Sequence, residues 1–298
     1  MNGQFYELDD PPTLDKKFRH NIDVVVDRLV VGKGMETRLA DSFRTALDLA
    51  DEIGRDQALA MRVLRVVNSS FYGFPRSISS IPEAVVILGF NEIERLALTI
   101  SVINLFGKSP AQVRALHNLW RHSLACSLAA GTLEQHFRRV YPEISGAHLA
   151  GLLHDIGKAV IAQYFPDDLA RVIQMMESSG CSAYEAEYEV FGGITHCEIG
   201  AWVAERWRLP VVFVESIAGS HRPSEVPGNP IMPHATHLAD TLVNMMGIGA
   251  LNDQPQALPP NPESLEKLPI DEGIMTRIQE RLDKQRGLLG AVAMGALS

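Results

Sequence analysis

At 298 residues, with 46% hydrophobic and 21% charged side chains, the chain has the composition of an ordinary globular protein and length for one large domain or two average ones. A net charge of −9 argues against nucleic acid as the main partner, because that binding rests on Lys and Arg neutralising phosphates. No apolar run approaches the roughly 18 residues of a membrane span, Met1 to Asp10 lacks the basic-then-apolar order of a secretory signal, and Cys126, Cys181 and Cys197 have no C-x-x-C spacing, so a reduced, cytoplasmic location is expected.

Residues 1–21, with Pro11-Pro12, read as an irregular lead-in. Ile22 to Val31 fits either a strand or a helix face, since its Val-rich run satisfies both periods. From Met35 the pattern is helical, with Leu39, Phe43, Ala46, Leu47 and Ala50 at spacings of three and four and Gly54 as the stop. Asp56 caps a helix from Gln57 to Val67, on which Arg62 and Arg65 share a face that reads as solvated. Asn68 to Pro75 is turn chemistry. Ser80-Ile81-Pro82-Glu83 forms a capping box ahead of a helix to Leu88-Gly89, and Asn91 caps another through Ile103. Further helices are predicted over Pro110 to His136, Ser145 to Tyr164, Asp167 to Ser179, Ala183 to Phe191, His196 to Trp207, Val211 to Ser220 and His234 to Met246. Residues 252–269, rich in Pro and Asn, read as a loop, and Ile274, Ile278 and Leu282 mark a last amphipathic helix. The chain reads as all-α.

Within this pattern, Ala150-Gly151-Leu152-Leu153-His154-Asp155-Ile156-Gly157-Lys158 stands out. An imidazole beside a carboxylate in an apolar run is costly to bury unless a cation compensates it. Nitrogen and carboxylate donors together suit Fe, Mn, Ni or Zn. Other ligand-type residues lie at helix positions elsewhere: His122, His196, His221 and Asp240. His122, His154, Asp155 and Asp240 make a two-His, two-Asp set with positions left for water, and His196 with His221 could hold a second ion bridged by a carboxylate. His237, one turn before Asp240, is an alternative ligand. Lys158, with Asp155, is placed in a catalytic role, the lysine meeting a phosphate oxygen; surface lysine is the plain alternative. His20, His117, His136, His148 and His234 read as ordinary polar residues, and Cys126 and Cys197 as buried thiols.

The order His122, His154-Asp155, His196, His221, Asp240 resembles the HD metal-dependent phosphohydrolase superfamily. Leu64-Arg65-Val66-Val67-Asn68-Ser69-Ser70, Ala84-Val85-Val86-Ile87-Leu88-Gly89, Glu198-Ile199-Gly200-Ala201 and Trp207-Arg208-Leu209-Pro210 are similar to HDOD domains, the HD-related output domains of bacterial signalling proteins. The resemblance covers roughly residues 25–245 and is weak before Asp56. It implies an HD-domain-like helical bundle and one or two divalent transition metal ions. It also implies a regulatory role through a protein partner, with phosphohydrolysis of a phosphorylated small molecule as the second reading. Ser220-His221 stands where the superfamily's paired His-His is expected, and the Gly-Tyr-Pro signature of cyclic di-GMP phosphodiesterases is absent after His221, so cyclic di-GMP hydrolysis is not implied. The expected organisation is a lead-in over 1–24, an HD-type helical domain over 25–250, and a Pro-rich loop with a C-terminal helix packed on it over 251–298.

Overall fold

Several of the helices begin at a side chain that caps their first turn. In the computed structural model, which describes residues 46–68, 76–103, 116–249 and 259–285 together with Phe74, Phe106, Gly287, Leu289 and Gly290, α1 spans Ala46–Arg55 and α2 Gln57–Val67. Asp56 caps α2 by accepting the Leu59 N–H at 3.0 Å. α3 (Ile81–Leu88) starts at Ser80, whose Oγ accepts the Glu83 N–H at 3.3 Å. The reciprocal half of the expected capping box is displaced by one residue, because the Glu83 carboxylate takes the Ser79 N–H instead. α4 (Phe90–Ile103) begins at Phe90, so Asn91 lies inside the first turn and is not the cap. The Ile22–Val31 segment and the predicted helix start at Pro110 fall outside the described residues.

α5 (His117–Phe137) is the longest helix among the described residues and the axis of the bundle. It packs most extensively on α6 (Ala147–Leu153) and on α12 (Ile231–Met245). α7 (Ile156–Tyr164), α8 (Pro166–Ser179), α9 (Ala183–Val190), α10 (His196–Arg206) and α11 (Val211–Ala218) complete the middle of the chain, with α7 against α10 and α10 against α11. Capping boxes open α9 (Ser182 with Glu185) and α10 (Thr195 with Glu198).

Three further expectations are corrected. The helix predicted over Ser145 to Tyr164 is two helices, broken at His154 and Asp155, with Asp155 at φ −99° and ψ 13°. The final core helix starts at Ile231, not His234, because Pro233 sits in a first turn where no N–H partner is needed. Pro262–Lys267, expected as loop, forms α13, capped by the Asn261 side chain on the Ser264 N–H. α14 (Glu272–Lys284) buries Ile274, Ile278 and Leu282 against α5. Among the described residues there is no strand, and no helix is long and apolar enough to cross a membrane.

Two glycines let the broken helix reach its neighbours. A Cβ on Gly151 would lie 2.7 Å from the Cys126 carbonyl oxygen of α5, and one on Gly157 would lie 1.9 Å from the His196 carbonyl oxygen of α10. The α6–α7 backbone is therefore pressed against the helices that carry His122 and His196. Gly157→Ala is expected to destabilise the protein by about 1–3 kcal/mol through overpacking. Gly54→Ala, at an exposed helical position with nothing within 4 Å, should leave the unfolding midpoint unchanged or raise it. Denaturant unfolding of the two variants beside wild type checks the contrast.

Candidate metal centre

The break after α6 turns His154 and Asp155 inward together, and both are fully buried. His122 comes from α5, His196 from the first turn of α10, His221 from the segment after α11, and Asp240 from the middle of α12. The His122 Nε2 lies 3.0 Å from Asp240 Oδ1 and 3.6 Å from Asp155 Oδ2. The His154 Nε2 lies 3.4 Å from Asp155 Oδ1 and 3.7 Å from Asp240 Oδ1. On the other side of Asp155, Oδ1 is 3.3 Å from His196 Nε2, which is 3.1 Å from His221 Nε2. His221 Nδ1 is 4.0 Å from Asp240 Oδ2 and its side chain is 21% exposed, so it marks the cluster's edge toward solvent. All six residues form one connected cluster.

Second contacts decide which ring nitrogen faces inward. His122 donates its Nδ1–H to the Ile248 carbonyl at 2.7 Å, and His154 donates its Nδ1–H to the Gly151 carbonyl at 2.9 Å. A carbonyl only accepts, so both Nε2 atoms point their lone pairs, or a second proton, at the carboxylates. His196 is held by Glu187, whose Oε2 takes the Nδ1–H at 2.5 Å and the His196 backbone N–H at 2.8 Å. This is the carboxylate–histidine arrangement that orients metal ligands. His237 is excluded from the cluster: its Nδ1 donates to the Ser220 carbonyl at 2.9 Å and its Nε2 accepts the Asn261 N–H at 3.1 Å. Lys158 is buried, and its Nζ is 2.9 Å from Asp155 Oδ2, which accepts its hydrogen bond, and 2.8 Å from Oδ1 as an ion pair.

The electrostatics of the cluster ask for positive charge. Burial pushes the Asp155 and Asp240 carboxyls up, but the imidazoles, and for Asp155 also Lys158, outweigh it and hold both well below the carboxylate range. Burial lowers His196, yet the Cys197 and Glu187 side chains overcome it and push the imidazole well up. Burial and the His196 charge hold His221 down to about 3. Asp155, Asp240 and Glu187 are buried carboxylates opposed by one buried ammonium, Lys158. His154 Nε2, Asp155 Oδ1 and Glu187 Oε1 are buried without a hydrogen bond. Paired lone-pair donors, orphaned polar atoms and excess negative charge fit a divalent transition metal. Two groups have ligand atoms all within 4.8 Å of one another: His122, Cys126, His154 and Asp240, and His196, Cys197 and His221.

Cys126 reads from sequence only as a buried thiol, which it is, and Glu187 escapes the sequence reading. Cys126 lies one turn after His122 on the same helix face, a spacing that could have signalled it. Glu187 sits in an acidic helix beside Glu185 and Glu189 and nothing in the pattern separates it from them. At the solvent edge, Tyr184 packs against the rings of His196 and His221, and the Arg222 guanidinium lies 5.2 Å from its ring centroid.

Comparison with known proteins gives the family and the fold. The HDOD domain model matches residues 34–223, and the UvrA interaction domain model matches residues 1–55. The UvrABC system protein A of Rhizobium meliloti (strain 1021) is 63% identical over 51 residues, 17% of this chain and 5% of that protein. The chain thus spans 5% of the length of the first curated relatives it matches. An HDOD domain protein of unknown function from Geobacter sulfurreducens superposes with a TM-score of 0.63 at 23% identity, covering 97% of this chain and 94% of that one. A candidate phosphohydrolase from Shewanella amazonensis SB2B gives 0.67 at 21% identity, over 93% and 98% of the two chains. A candidate signal transduction protein from Marinobacter aquaeolei VT8 gives 0.68 at 20%, over 92% and 65%. At these identities the likeness carries the fold alone.

Glu187→Gln keeps the side chain's shape and removes the charge that holds His196. It is expected to weaken Zn2+ binding about 10- to 100-fold, read by competition against a chromophoric chelator.

Proposed function

The chain belongs to the HDOD domain family, and from that membership we propose that it is a cytoplasmic, regulatory signal-transduction module that holds one or two divalent transition metal ions (Fe, Mn, Ni or Zn) in its core. The observation that carries the reading is the pair His122 and His154, each pinned by Nδ1 to a backbone carbonyl and each aiming Nε2 at Asp240 Oδ1. Two acceptors at such distances repel unless a proton or a metal ion lies between them. In this reading His122, His154, Asp155 and Asp240 serve one ion, and His196 with His221 serve a second. The metal ties α5, α6, α10 and α12 into one state that a protein partner in a signalling pathway senses.

A second reading, metal-dependent hydrolysis of a phosphoester or nucleotide, is favoured by one feature: the cluster opens to solvent at His221, beside Arg222. An ion held there would polarise a phosphoryl group and supply a nucleophile from water near neutral pH. Lys158, held by Asp155, would contribute buried positive charge to a phosphoryl oxygen, and His196 would steady it.

Mass spectrometry of protein purified without chelator or affinity nickel should find a divalent transition metal in stoichiometric amount, lost from Asp240→Ala. A metal-free wild-type chain would remove the reading. Phosphate release from generic phosphodiesters and nucleotides, assayed with and without Mn2+ or Fe2+ beside Asp155→Ala, separates the two functions. Metal-dependent turnover that falls to background in the variant would establish the enzyme, and its absence leaves the module.

A further inference from the structure

Cys126 is fully buried, yet its sulfur does not sit among apolar side chains alone. It lies 3.4 Å from His122 Nε2, the ring nitrogen that faces the cluster. It also shares with His122, His154 and Asp240 a set of ligand atoms all within 4.8 Å of one another. Tetrahedral Zn2+ sites with bonds of about 2.0–2.3 Å place their ligand atoms roughly 3.3–3.8 Å apart, so small side-chain adjustments close this set on one ion. Asp155, the alternative fourth ligand, accepts the Lys158 hydrogen bond at Oδ2 (2.9 Å) and is ion-paired with the same ammonium through Oδ1 (2.8 Å), and that oxygen is shared between His154 and His196 at 3.4 and 3.3 Å. The backbone of Cys126 is fixed as well, since Gly151 of the adjoining helix rests against its carbonyl.

We infer that Cys126 is a metal ligand in this chain, its sulfur completing with His122, His154 and Asp240 a four-residue site that favours a thiophilic ion such as Zn2+ over Mn2+. The inference rests on the metal centre proposed above and refines its ligand set. Ligation exchanges the S–H bond for a sulfur–metal bond, and the thiol proton leaves to solvent. Asp155 remains with Lys158 and His196, between this site and the His196–His221 pair. A sulfur donor shifts selectivity because soft thiolate favours Zn2+ over ions that prefer oxygen.

Metal-free wild-type protein, Cys126→Ser, Cys126→Ala and Cys197→Ser are titrated with Co2+ and followed by absorption spectroscopy, with circular dichroism confirming that each is folded. Wild type and Cys197→Ser should show a thiolate-to-cobalt charge-transfer band in the near ultraviolet. Both Cys126 variants should lose it, and their preference for Zn2+ over Mn2+ in competition should fall. Cobalt binding to wild type without that band overturns the assignment of Cys126 and leaves the histidine–aspartate centre standing. The assignment fails equally if the band survives in the Cys126 variants or disappears only in Cys197→Ser. Wild-type protein that takes up no Co2+ overturns both the centre and the ligand.

Discussion

Three carboxylates lie in the interior of a helical bundle with one lysine to oppose them, and the architecture around them is arranged to tolerate that excess of negative charge. Asp155, Asp240 and Glu187 come from three separate stretches of the chain, and each is nine-tenths or more buried. Placing even one unpaired carboxylate there costs several kcal/mol. The structure answers with imidazoles. Four histidines point a ring nitrogen at Asp155 or Asp240, and for three of them the opposite nitrogen is anchored to a carbonyl or to Glu187. Those outer bonds fix the ring orientations before any cation arrives, so the cost of ordering the site falls on folding and not on binding.

That arrangement depends on two places where helix backbones touch. Gly151 sits on the Cys126 carbonyl and Gly157 on the His196 carbonyl, one on each side of the break that carries His154 and Asp155. A side chain at either position would push α6 from α5 or α7 from α10 and separate the ligands. The motif around the His-Asp pair therefore encodes distance as well as chemistry: its two polar residues supply donors, and its two glycines set how near the other donors come.

How much of this was legible follows from the range of the interactions. Caps act within one turn, so Asp56 and Ser80 could be read directly, and amphipathic spacing gave Ile274, Ile278 and Leu282 as one buried face. The six ligand-type residues are picked out by their order along the chain, which resembles that of the HD superfamily; burial alone would not have chosen them, since His234 and His237 are buried too. The helix break at His154 was not legible, since Gly and β-branched Ile at 156–157 are tolerated in helices and the break answers to packing against α10. Glu187 was invisible for a related reason: its role depends on which of several glutamates happens to face His196, a fact about tertiary contact. The weak resemblance expected before Asp56 is corrected in part, because the HDOD model matches from residue 34, while residues 1–55 also match the UvrA interaction domain model and the site is built wholly from residues downstream.

Protons and metal ions compete for the same space in this cluster, and the shifted imidazoles show on which terms. Burial lowers His154 and His196, but nearby side chains (Asp155 and Asp240 for His154, Cys197 and Glu187 for His196) reverse this and raise both above the ordinary histidine value. A group whose folded value is raised contributes stability that is complete below its unfolded value and is lost as pH rises through the folded one. The metal-free cluster is thus held together by protons, and it weakens with rising pH. A cation that occupies the same gap must displace those protons, so its binding strengthens as pH rises. The two effects run in opposite directions, so a cation arriving as protons leave would keep the carboxylates compensated. His221, driven down to about 3 by burial and the His196 charge, is the neutral imidazole of the cluster, and its Nε2 meets His196 Nε2 at 3.1 Å near the solvent edge. The buried carboxylates can thus be compensated by protons or by a cation, two states that differ in charge at the centre of the bundle.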